Sequence, residues 1–130
     1  MKKVYVWLLS IVVLGAAVAS PVWAIPPFKK AFDENYGSNE GVKKVSDELK
    51  CNICHYGKSK KNLNDYGKAL HQLLKKDNFK AERIKNEGDK VKAELEAAFK
   101  KVEGKKSKDG ETFGERLKAG EAPGTPEEAK

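Results

Sequence analysis

Two thiols and an imidazole stand together in Cys51-Asn52-Ile53-Cys54-His55, the only cysteines of the chain beside one of its two histidines. In the C-x-x-C-H order each thiol can add to one vinyl group of a haem as a thioether, and the neighbouring imidazole can swing under the ring to bind iron. Cys51 and Cys54 are therefore read as cofactor-binding residues for one covalent haem c, and His55 as the proximal iron ligand. Two other chemistries use the same residue types. A dithiol redox pair asks for a strand leading into a helix, and no strand-like run precedes Cys51. Zinc asks for about four ligands, and the two cysteines and two histidines would all be needed.

The second histidine, His71, is the candidate distal ligand. On a helix over 65–76, Tyr66, Leu70, Leu73 and Leu74 make one apolar stripe, and His71 flanks that stripe rather than lying in it. A lysine, a weak ligand such as Tyr66 or an asparagine, and an open position are the alternatives. Methionine, which raises haem potentials, is limited to Met1. Ligation by His71 or by nothing implies a lower potential than His/Met ligation.

Stepping outward, the chain has 130 residues, with 26 Lys and Arg against 19 Asp and Glu. One small domain is the expectation. Lys2 and Lys3, the apolar run from Val4 to about Ala19 and the Val22-Trp23-Ala24 site read as a cleavable signal peptide over 1–24. Cleavage leaves 106 residues with a net charge of +5, no Met and no Trp. The apolar run is short for a membrane span, so no stable membrane insertion is expected after cleavage. Large apolar residues are sparse beyond it, and cysteines three apart cannot staple distant segments, so a bound cofactor is the expected aid to folding.

Between Pro27 and Pro123 there is no proline, and Lys, Glu, Ala and Leu dominate, which predicts an all-α fold. Phe28, Phe32 and Tyr36 recur at helical spacing after Pro26-Pro27 and are assigned to packing. A second helix is expected from Gly41 or Ser46 through His55, then a basic loop over Gly57 to Lys61. Asn62 or Asn64 can cap a third helix, where Gly67 implies close backbone approach. A longer helical segment covers Phe79 to Val102, with Gly88 as its potential break, and Phe113 and Leu117 mark a short last helix. The domain is thus placed at 25–119, with a flexible tail over 120–130.

The segments P-P-F-K-K-A-F, C-N-I-C-H-Y-G-K-S-K-K-N-L-N-D-Y-G-K-A-L and T-F-G-E-R-L-K-A-G resemble the small monohaem c-type cytochromes exported by planctomycetes, a group that includes paired nitric-oxide-binding proteins of anammox bacteria. The resemblance implies a cytochrome c-like helical domain, with Cys51, Cys54 and His55 as attachment and proximal residues. The paired proteins use a third cysteine as distal ligand, which this chain lacks, so distal chemistry and a heterodimeric partner do not carry over, and a hetero- or homodimer stays open.

The resulting expectation is a non-enzymatic one-electron carrier in the periplasm, or in an anammox-type internal lumen. Lys43, Lys44, Lys50, Lys58, Lys60, Lys61 and Lys68 surround the motif and would steer acidic redox protein partners. Nothing interleaves aromatics with these lysines as nucleic-acid binding would require. The alternative is a module that binds or senses nitric oxide or carbon monoxide at an open distal site. A peroxidase-like enzyme is third, since His71 is its sole histidine candidate for distal acid–base work.

Overall fold

The computed structural model describes residues 26–125, and the signal peptide assigned to 1–24 lies outside them. Six α-helices follow one another: α1 (Pro26–Tyr36), α2 (Glu40–Leu49), α3 (Asp65–Leu73), α4 (Ala81–Asn86), α5 (Gly88–Glu103) and α6 (Phe113–Lys118). Single 3₁₀ turns occupy Lys50–Ile53 and Lys76–Phe79. Among the described residues there is no strand, only two isolated bridges, so the fold is all-α.

Helix α5 is the spine, and α1, α3, α4 and α6 all pack on it. Its buried residues Val91, Leu95, Ala98, Phe99 and Val102 recur at helical spacing, which makes one apolar face along about three turns. Phe32 of α1 meets Phe99 edge to face, with ring centroids 6.0 Å apart. Tyr66 of α3 meets Phe113 of α6 at 5.3 Å in the same manner. Such contacts add to the plain burial of these rings, so the aromatic stripe of α1 serves as core packing. The Lys92–Glu34 ion pair at 2.9 Å and the Tyr36 hydroxyl donating to Glu103 at 2.7 Å tie α1 to α5 along the rim.

Three expectations need correction. The second helix stops at Leu49, because Lys50 adopts φ 52°, ψ −115°, a conformation no helix continues through. The third ends at Leu73 rather than at residue 76. The tail does not begin at Gly120. Pro123 is fully buried, Gly124 packs against the Asn64 side chain, and the Thr125 amide donates to Asp65 Oδ1 at 2.7 Å. Residues 126–130 lie outside the described residues. The segment 79–102 does divide just before Gly88, into α4 and α5.

Candidate functional site around Cys51, Cys54 and His55

Lys50 turns the chain out of α2, and the 3₁₀ turn that follows carries Cys51 and Cys54. The amides of Cys54 and His55 both donate to the Cys51 carbonyl, at 3.2 and 3.1 Å, which folds the five-residue motif back on itself. An antiparallel bridge between His55 and Leu63 closes the loop of residues 56–62. Lys58, Lys60 and Lys61 are exposed on that loop.

The motif is fastened to α3 by one buried side chain. Asn64, 3% exposed, accepts from the Gly67 amide at 2.8 Å as the N-cap of α3 and donates from Nδ2 to the Ile53 carbonyl at 2.9 Å. Its own amide donates to the Cys54 carbonyl at 3.0 Å. Asn64, not Asn62, is the cap. Gly67 accounts for the rest of the fit: a Cβ there would run into the Cys54 carbonyl oxygen, so the close approach expected at this glycine is to the motif's own backbone.

His55 is held by its other ring nitrogen. Nδ1 lies 3.1 Å from the Asn62 carbonyl oxygen. A carbonyl can only accept, so the bond requires the proton on Nδ1 and leaves the Nε2 lone pair uncommitted in the neutral ring. Burial, and secondarily the Lys60 ammonium, hold the imidazole below its usual pKa, which favours that neutral form. An imidazole fixed through one nitrogen and basic at the other is what a metal-ligating histidine needs.

Both thiols are free, and Cys51 and Cys54 are half-buried. Burial, then proximity to Cys51, pushes the Cys54 thiol up to about 12. A thiol so protected is a poor nucleophile near neutral pH, so Cys54 would not be the attacking thiol of a dithiol pair. Zinc chemistry fares no better, since no group of three or more His, Cys, Asp or Glu side chains gathers among the described residues.

Tyr66 lies beside this site and is completely buried. Its hydroxyl has no hydrogen-bond partner, while the neighbouring Tyr36 hydroxyl is committed to Glu103. Burial above all, then Cys54 and Tyr36, raise the Tyr66 pKa, so the group stays a neutral phenol. His71 stands apart. It is exposed in the last turn of α3, one turn beyond Gly67, and takes no part in the hydrogen bonds that join the motif to that helix.

Asn62 and Asn64 are the positioning residues that spacing alone does not reveal. A polar residue before Asp65 signals a cap, but nothing local signals that the same amide reaches back eleven residues to Ile53. Compared with protein-family models, with characterised proteins and with solved structures, the chain matches none.

Proposed function

We propose that the protein carries one haem c on Cys51 and Cys54 and transfers single electrons between redox protein partners. The observation that carries the reading is the pairing of the C-x-x-C-H sequence with an imidazole oriented through Nδ1 by the Asn62 carbonyl, which leaves Nε2 available to iron. The residues present fit the group in other respects. The thiols are unpaired and close together, the buried Tyr66 lies beside Cys54, and Leu49, two residues before Cys51, is an apolar side chain left 37% exposed.

When bound, the haem supplies the reversible one-electron chemistry. The protein's part is to hold and to dock. Asn64 and Gly67 seat the motif on α3, the Asn62 carbonyl sets the tautomer of His55, and the exposed Lys43, Lys44, Lys58, Lys60 and Lys61 give the approach to the motif a positive field. Acidic partners would then associate faster at low ionic strength than at high. An exported compartment follows from the signal assigned to 1–24, and among the described residues no helix is long and apolar enough to cross a membrane.

Mass spectrometry of chain exported and matured in a host with haem-attachment machinery is the test. One haem added per chain, lost in Cys51→Ala/Cys54→Ala, is expected; bare polypeptide from a host that matures a control cytochrome ends the reading. The exposed position of His71 favours one second reading, a gas-binding module whose sixth position is open. Ferrous spectra with and without carbon monoxide separate the two. A low-spin spectrum unmoved by the gas removes the second reading, and an unchanged spectrum in His71→Ala removes His71 from the coordination sphere.

A further inference from the structure

On the flank of α3, at the segment that leads into α6, lies a cleft of about 340 Å³. Lys68, Lys105, Lys106 and Lys108 line it against a single acid, Asp65. None of Cys51, Cys54, His55 and His71 takes part in it. We propose that this cleft is a binding site for a phosphate group.

The acid is held in place. Asp65 accepts the amides of Tyr66 at 2.9 Å and Thr125 at 2.7 Å through Oδ1, and that of Lys108 at 2.9 Å through Oδ2. Backbone donors fix its carboxylate as part of the cleft wall, where four lysines outnumber its charge. The cations differ in their commitments. Lys105 donates only to the neutral amide of Gln72, at 3.3 Å, and among the described residues neither Lys105 nor Lys106 forms an ion pair. Lys68 and Lys108 engage other groups and add to the positive potential at longer range.

Ser107 sits between the two lysines and is 6% exposed. Its amide donates to the Glu111 carbonyl at 2.7 Å and its carbonyl accepts from Gly110 at 3.1 Å, so the backbone is fixed in a turn. Its hydroxyl has no hydrogen-bond partner. Buried hydroxyls are as a rule matched, and this one belongs to a residue lining a cationic cleft. The buried Phe113 gives that cleft an apolar wall, which strengthens charge–charge attraction beside it. Two ammonium groups without an ion pair, one of them held only by a neutral amide, stand beside a hydroxyl without an acceptor. A phosphate group, close to dianionic at neutral pH and carrying several acceptor oxygens, supplies what they lack.

The test is amide NMR of the full matured chain, titrated at pH 7.5 in about 0.15 M NaCl to screen loose association. The probes are inorganic phosphate, glycerol 1-phosphate and acetate. Saturable shifts at residues 105–108 and in α3 with both phosphates are expected, and a stronger response to one of them tells a free anion from a phosphomonoester. Lys105→Gln/Lys106→Gln should weaken binding about tenfold or more, and Ser107→Ala about threefold. Lys106→Glu, at an exposed position, should abolish it. Linear unsaturable shifts, an equal response to acetate, or phosphate affinity unchanged in Lys106→Glu would overturn the proposal.

Discussion

Gly67 presses its α-carbon face against the carbonyl oxygen of Cys54, so the first turn of α3 and the thiol-bearing turn share one backbone contact with no room for a methyl group. Alanine is the better helix former by about 1 kcal/mol, yet here its Cβ would have to push the motif off the helix. Gly67→Ala is expected to destabilise the protein by about 1–3 kcal/mol in urea unfolding. Gly88, whose Cβ would meet nothing within 4 Å, is the control, and alanine there should be neutral or stabilise by up to about 1 kcal/mol. Equal effects at the two glycines would refute the close-approach account.

Asn64 is the second fastening. Alanine at this position removes the cap of α3 and leaves the Ile53 carbonyl without its buried donor. The combined cost is expected at about 2–4 kcal/mol, from a lost cap and an unsatisfied buried acceptor. Asn64→Asp retains the accepting oxygen but not the donor, so it should recover part of the loss. A full recovery would show that the link to Ile53 contributes nothing.

What could be read before the fold was known, and what could not, divides by the range of the interaction. The periodic apolar residues of α5 and the Phe28, Phe32, Tyr36 stripe are local patterns, and each lies where its spacing predicts. The C-x-x-C-H motif is equally local. The stop at Lys50 was hidden, because lysine is a good helix former and only the tertiary position of the motif forces its positive φ. The course of residues 120–125 was hidden too. A Gly- and Pro-rich stretch reads as loose, but Pro123 is buried and Thr125 is captured by Asp65 of α3 from sixty residues away. The second role of Asn64 belongs to the same class.

Lys50 itself offers a simple measurement. A non-glycine residue at φ 52°, ψ −115° carries strain of about 1–3 kcal/mol, and it sits directly before Cys51. Lys50→Gly relieves that strain at the expense of a more flexible unfolded chain, for a net gain of about 0.5–1 kcal/mol. Lys50→Ala should give no such gain. If alanine stabilises as much as glycine, removal of the charge rather than backbone strain is responsible.

The alkaline limb of stability in the haem-free chain follows from three acids packed at or near the motif, of which Tyr66 is fully and Cys54 and Tyr36 partly buried. The Cys54 thiol, ordinarily near 9.0, is pushed up to about 12 by burial, and Tyr36 and Tyr66 are raised above 10.0, again chiefly by burial. Below about pH 8 these groups are protonated in folded and unfolded chains alike and contribute no pH dependence. Above it the unfolded chain releases its Cys54 proton while the folded chain retains it, so the unfolded state binds fewer protons and stability falls as pH rises. The slope is at most about 1.4 kcal/mol per pH unit for each such group, beginning with Cys54 and joined by the tyrosines beyond pH 10. Urea midpoints measured under reducing conditions from pH 8 to 11 should decline from about pH 9. In Cys54→Ala the decline should start near pH 10 instead. Haem-loaded protein should behave like that variant, because a thioether sulfur has no proton to lose. A haem-free chain whose midpoint stays level through pH 10 would mean that the Cys54 thiol is not sequestered, and with it would go the tight seating of the motif against α3.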